Sequence, residues 1–123
     1  MQEQEMAEKV YHDWMQRVQY LEKLLGDLDN NMHNIEILKE QISSFETLRG
    51  DEEILAPVAN GIFISAKLVD VKKFKVNVGK GIMVDKTIPE TLELIEKQEQ
   101  EIHLTREQIL LKLEELYEDA KQF

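Results

Sequence analysis

Three histidines, a Gly-Lys-Gly tripeptide and two pairs of adjacent glutamates are the residues here whose types could support metal, phosphate or acid–base chemistry. His12, His33 and His103 are too widely spaced to put two imidazoles on one helical turn, and none has a carboxylate in a recognised metal pattern. They read as surface histidines. Gly79-Lys80-Gly81 lacks the upstream glycine of a phosphate-binding loop, and hairpin turns use the same residues. Glu52-Glu53 and Glu114-Glu115 have no basic or apolar surroundings to split their pKa values, as acid–base catalysis requires, and read as solvated faces. The chain has no cysteine, which excludes a disulfide framework and a thiolate metal site and fits a reducing compartment. Neither catalysis, nor a metal, nor a cofactor is expected.

The chemistry left to the chain is apolar contact, and the elements that must position it follow from composition and period. At 123 residues, one domain is expected, and 33% charged residues with only two prolines and five glycines favour long regular elements. The formal net charge of −10 is unevenly placed. Residues 1–50 carry five basic and ten acidic groups, residues 51–87 six and five, and residues 88–123 four and ten. Acidic flanks repel a phosphate backbone, so nucleic acid is not an expected partner. No basic amino terminus leads into an apolar core, and there is no apolar run of about 18 residues. A soluble, cytoplasmic protein without a membrane span is the expectation.

The two flanks are written in heptads. From Ala7, the positions Tyr11, Trp14, Val18, Leu21, Leu25, Leu28, Met32 and Ile35 alternate spacings of three and four, the pattern of a coiled-coil seam. The repeat meets Lys39, and Leu38, Ile42 and Phe45 are expected to carry it on in a shifted, locally overwound frame. The helix should fade near Leu48, with Gly50 as a left-handed terminator. On the second flank Thr87 is the candidate N-cap and Pro89 falls in the first turn. Ile88, Leu92, Ile95, Ile102, Ile109, Leu113, Leu116, Ala120 and Phe123 continue the alternation, interrupted by Glu99 and Arg106, which either fix register or snorkel to solvent. Two such stripes can bury each other in antiparallel fashion.

Between the flanks the period changes to alternation, which marks strands. Ile54–Val58 is one, with Pro57 pointing to an edge or a bulge, and Asn60-Gly61 turns it into Ile62–Val69. Phe74, Val76 and Val78 alternate with Lys75 and Asn77, and Gly79-Lys80-Gly81 turns the chain into Ile82–Val84. The fold class expected is α+β, a long antiparallel two-helix coiled coil with a four-stranded insert of two β-hairpins. Its single domain comprises a helix over 1–49, hairpins over 50–86 and a helix over 87–123. Ile62, Phe63, Ile64, Leu68, Phe74, Val76, Val78 and Ile82 have too few partners within one chain, so this insert is expected to be an oligomerisation platform completed by other subunits.

Local motifs agree with that architecture. Pro57, Val58, Gly61 and Phe63, then Val76, Val78, Gly79, Gly81 and Ile82, then Val84, Lys86, Ile88 and Glu90, resemble stretches of the α-class prefoldin subunits of archaeal type. Thr91 stands where many members have alanine, and Ala56 and Ala59-Asn60 stand where the family prefers a hydrophobic residue and a glycine. The chain stops at Phe123, short of the polar tail of many relatives. The resemblance implies an ATP-independent holdase that assembles with β-type subunits into a hetero-hexamer, or with itself. It also implies capture of unfolded polypeptides at the coil tips and transfer to a group II chaperonin. The alternative is a structural, self-assembling coiled-coil or filament protein without client transfer.

With the helices level at Leu48 and Ile88, Phe123 falls about opposite Trp14, and the residues before Trp14 project past the coil. The expected client-binding tip is Met6, Val10, Tyr11, Trp14, Leu116, Tyr117, Ala120 and Phe123, large or adaptable side chains suited to loose binding of varied segments. Closure of the seam is the competing role for Trp14, Leu116, Ala120 and Phe123.

Overall fold

The heptad flanks form two helices and the alternating middle forms two hairpins. The computed structural model describes residues 2–122. Helix α1 spans Gln2–Ser43 and ends in a 3-10 turn, Ser44–Thr47. Strands β1 (Glu53–Ala59), β2 (Ile62–Lys67), β3 (Lys73–Asn77) and β4 (Met83–Thr87) follow, then helix α2, Ile88–Ala120. These elements divide into two compact units, one built from the chain up to Ile35 and from Lys97 onward, the other from Glu36–Glu96.

In the first unit the seam forms from the heptad positions. Val18, Ile109, Leu113 and Leu116 are buried together, and Trp14, Leu21, Leu24, Leu25 and Leu28 pack against them. Arg106 occupies a seam position but is only half-buried, and its Nε donates to Asp29 Oδ1 at 2.9 Å. Its stem lines the seam while its head reaches a carboxylate on the flank of the other helix. Arg106 and Asp29 meet within one residue of the expected level start at Leu48 and Ile88, whereas the contacts of Trp14 reach further back along α2. Trp14 Nε1 donates to the Leu116 carbonyl at 2.5 Å and its ring meets Tyr117 edge-on at 6.2 Å, so Trp14 faces α2 about two turns before Phe123. Phe123 itself lies outside the described residues.

The second unit holds the helix ends and the hairpins. The expected change of frame is absent at Lys39 but present at the helix end, where Ile42 and Phe45 are half-buried and Glu46 is exposed. Leu38 is exposed and Lys39 half-buried, because an unbroken helix keeps its phase and a lysine stem can occupy a seam position. The tightening of the last turn is accompanied by back-bonds from the Ser44 hydroxyl to the Gln41 carbonyl (2.6 Å) and from Thr47 to Ser44 (3.1 Å). Gly50 is left-handed (φ 106°), but it follows an extended Leu48 and turns the chain toward β1 instead of capping the helix.

Strand β1 pairs antiparallel with β2, and the register slips between Pro57 and Ala59, the bulge that a proline without an amide hydrogen permits. In the Asn60-Gly61 turn only Gly61 (φ 74°) is left-handed. Strand β3 pairs with β4, and the four strands form two separate two-stranded sheets. Observed strands run one to three residues beyond the expected ends at several termini and fall short at others: β2 stops at Lys67 and not Val69, β3 stops before Val78, and β4 starts after Ile82. The ladder, not the hydrophobic run, sets the limit: β4 extends through Asp85, Lys86 and Thr87, each paired with β3.

Helix α2 starts with a capping box. The Thr87 hydroxyl accepts from the Glu90 N–H (3.2 Å), and Glu90 Oε1 accepts from the Thr87 N–H (3.0 Å). Thr91 is buried, and its hydroxyl donates to the Thr87 carbonyl at 2.8 Å, which accommodates the hydroxyl where an alanine would carry none. The Thr87 amide and then its hydroxyl hold the Glu90 carboxyl below its usual range. A lowered carboxyl contributes stability above its unfolded-state pKa and loses it as pH falls through the folded one. Thr87→Ala should therefore cost about 1 kcal/mol in urea unfolding at neutral pH. In Glu90→Gln, the loss of stability on acidification through the carboxylate range should be shallower than in the parent.

Candidate functional site

Among the described residues, two clusters of apolar side chains left exposed by the seam and the hairpin ladders match the expected sites. The first lies at the end of the first unit, where α1 begins and α2 finishes. Residues 2–13 are exposed throughout, with Met6 at 68% and Val10 and Tyr11 at about half. Tyr11 stacks on Trp14 at 5.9 Å, and Trp14 meets Tyr117, so three aromatic rings line up across the two helices. A groove of about 260 Å³ opens beside them, lined by Val10, Asp13, Trp14, Arg17, Leu116 and Asp119.

The expected tip residues divide here. Met6, Val10, Tyr11 and Tyr117 are exposed, whereas Leu116 is buried in the seam and Trp14 and Ala120 are half-buried. Leu116 therefore contributes to the floor of the groove and not to a free surface. The Tyr117 hydroxyl donates to Glu22 Oε1 at 2.8 Å, tying the two helices together beside the groove. That hydrogen bond, with desolvation and the Glu22 charge, raises the Tyr117 pKa.

The second surface is the pair of hairpins. Cross-strand pairing puts Ile54, Ala56, Ile64 and Ala66 on one face of β1–β2, and Leu55, Pro57 and Phe63 on the other. Ile62, Phe63 and Ile64 are each more than half exposed. In β3–β4 the division is cleaner: Phe74, Val76 and Val84 share one face, while Lys75 Nζ pairs with Asp85 Oδ1 at 2.5 Å on the other. This contact holds the Asp85 carboxyl below its usual range. Phe74 meets Phe45 edge-on at 5.2 Å, so it is partly covered within the unit, as are Val76 and Leu68. Val78 and Ile82 remain exposed and close the second turn, the Val78 N–H bonding the Ile82 carbonyl at 3.0 Å. Each hairpin keeps two strand edges with no strand beside them among the described residues.

Sequence reasoning passed over Leu55, Val58, Met83 and Val84 on the hairpins and Tyr20, Leu104 and Leu111 on the helices, all exposed. For Val58 the signal was present, because the residue after Pro57 is the one a bulge leaves unpaired. A groove of about 520 Å³ between Leu28, Ile35 and Ile102 is edged by Asn31, Asn34, Gln98, Glu101 and Thr105, and the Thr105 hydroxyl donates to the Glu101 backbone carbonyl at 3.0 Å. Among the described residues no three His, Asp or Glu side chains gather as a metal site, and no helix is long and apolar enough to cross a membrane.

A family model described as prefoldin subunit matches residues 14–123. The prefoldin subunit alpha of Methanococcus maripaludis (strain C5) is 34% identical over 107 residues, covering 87% of this chain and 70% of that protein. The same-named protein of Methanococcus aeolicus is 31% identical over 119 residues, covering 96% and 82%. That of Methanopyrus kandleri is 33% identical over 86 residues, a match that takes in 70% of this chain and just over half, 55%, of the relative. Among solved structures, the filamentous PFD of Methanocaldococcus jannaschii superposes with a TM-score of 0.83 at 21% identity, covering 94% of this chain and 95% of that one.

The Tyr117–Glu22 contact is testable by tyrosinate absorbance in a background where Tyr11 and Tyr20 are phenylalanine. Tyr117 should ionise above the ordinary tyrosine range, and Glu22→Gln should bring its titration down toward that range. A raised phenol pKa contributes stability below the unfolded-state pKa and loses it as pH rises through the folded one, so the parent should lose more stability than Glu22→Gln over that alkaline window.

Proposed function

Because the chain belongs to the prefoldin family and is of its alpha type, we propose that it is a subunit of an ATP-independent holdase that captures unfolded polypeptide on the open end of its helix pair. The observation that carries this reading is the run of exposed residues ahead of the seam, where Val10 lines the Trp14–Leu116 groove, Tyr11 stacks on Trp14, and Met6, Val10 and Tyr11 stay at least half exposed among the described residues. Burying apolar surface from a client would supply the binding energy, about 25 cal/mol per Å², without nucleotide. A flexible thioether and amphipathic rings suit segments of varied shape. The hairpins would join α-type to β-type subunits, or to copies of this chain, by pairing edges and burying the Ile62–Ile64 faces. Client transfer to a group II chaperonin in the cytoplasm completes the proposal.

A second reading is a filament without client transfer, favoured by the likeness in fold to a filamentous PFD. Pro57 with its bulge and the lysines Lys72, Lys73 and Lys75 would blunt the strand edges and limit growth, which favours a closed assembly.

Deleting residues 1–10 together with 118–123 should abolish suppression of aggregation of a denatured client while leaving assembly mass unchanged. Protection at the same molar ratio by the truncated protein would place capture elsewhere. Separately, Ile64→Asp and Val76→Asp should each give a smaller species of unchanged helicity by light scattering and circular dichroism, because an unpaired carboxylate is strongly unfavourable in a buried interface. Unlimited growth of the parent with protein concentration, without client protection, would support the filament.

A further inference from the structure

Helix α2 carries a second apolar line that the seam does not use. Leu104 and Leu111 are one heptad apart, at the position of the repeat that points most directly away from Ile102, Ile109 and Leu113. Both are 61% exposed and, at seven residues, lie about 10 Å apart along one face. A single exposed leucine is ordinary; two in heptad register on an outer face form the beginning of another seam. Acidic residues predominate around them, beside Gln100, Gln108 and Lys112, the last paired with Glu115. Glu101, Glu107 and Glu114 flank the leucines at helical neighbour spacings and have no ion-pair partner among the described residues. Beyond Leu111 a groove of about 340 Å³ is walled by Glu114, Glu115, Glu118 and Asp119.

We propose that this outer face of α2 docks a basic amphipathic helix of a partner protein, its leucine-type side chains set against Leu104 and Leu111 and its lysines or arginines against the flanking glutamates. Charge decides the occupant. The same face of a second copy would bring carboxylates against carboxylates, and a phosphate backbone is repelled in the same way. A helix matches the seven-residue spacing of the leucines, whereas a strand repeats every two residues. The surface uses neither Met6 nor Val10, and although Asp119 borders both grooves, Leu104, Leu111, Glu101, Glu107 and Glu114 lie outside the proposed client site, so the inference stands whether or not that reading holds.

The test is fluorescence anisotropy of the full chain with a labelled helical peptide bearing leucines at heptad spacing and lysines beside them. A control peptide has the same composition in scrambled order. Specific binding that weakens with salt is expected for the ordered peptide. Leu104→Gln with Leu111→Gln should weaken it by about tenfold or more at unchanged helicity, and Glu107→Gln with Glu114→Gln should flatten its salt dependence. Deletion of residues 1–10 should leave the affinity in place. The proposal is overturned if the leucine variant binds like the parent, if the scrambled peptide binds equally well, or if the deletion abolishes binding.

Discussion

Two helices laid side by side can bury only the line of side chains between them, and that limit governs the rest of this protein. The chain exposes 10145 Å², where a globular protein of its 14.4 kDa would expose about 6,800 Å². No described side chain is completely buried, and the best-covered residues, Val18 and Leu116, keep a few per cent of their surface. A chain with 42% hydrophobic residues and so narrow a core must leave many of them in water. Their distribution is therefore the functional question, because extended apolar surfaces on a soluble domain mark contacts with something else.

The seam also explains which polar residues belong to the helix pair. Arg106 sits where an apolar residue is expected, yet its guanidinium lies within 2.9 Å of Asp29. Both groups stay partly exposed, so the pair avoids the desolvation that a buried charge suffers and contributes little to stability by itself. What such a pair does is discriminate. A slide of one turn would leave Arg106 without Asp29 and Tyr117 without Glu22, and these two cross-links are satisfied in the same stagger. The apolar heptads, being nearly alike, would tolerate several staggers.

That division sets what could be read from the sequence. Heptad spacing identified Val18, Leu21, Leu25, Leu28, Ile109, Leu113 and Leu116 as seam residues, and they pack together. The hairpins were legible from Pro57, Asn60-Gly61 and Gly79-Lys80-Gly81, whose backbone requirements are local. Period gives the phase of each helix and nothing about their relative slide, which rested on the assumed helix ends at Leu48 and Ile88; Arg106 and Asp29 meet within one residue of that alignment. Leu38 and Lys39 were misassigned for a related reason: hydropathy favoured the leucine, but continuity of helical phase favoured the lysine. The candidate tip was legible only in part. Trp14 and Leu116 carry the same side-chain chemistry whether they close a seam or line a groove, and only the packed arrangement distinguishes the roles.

The two exposed surfaces differ in how much they specify. On the hairpins, apolar side chains are tied to strand edges, and an edge dictates hydrogen-bond register as well as contact, so a partner must be a strand in a defined alignment. At the open end of the helices the exposed groups are Met6, Val10 and Tyr11 on the first turns of α1 and Tyr117 on α2, where no strand edge is offered. Contact there is non-directional and scales with area, which admits many sequences at modest affinity. A first helical turn is also the part of a helix that frays most readily, so side chains at this end can rearrange around different segments. The proposed roles, edges for assembly and an apolar end for capture, would follow from where each exposed side chain sits relative to a hydrogen-bonding backbone. Composition differs as well: Ile, Val and Phe dominate the hairpins, whereas Met6, Val10, Tyr11, Trp14 and Tyr117 make up the helix end.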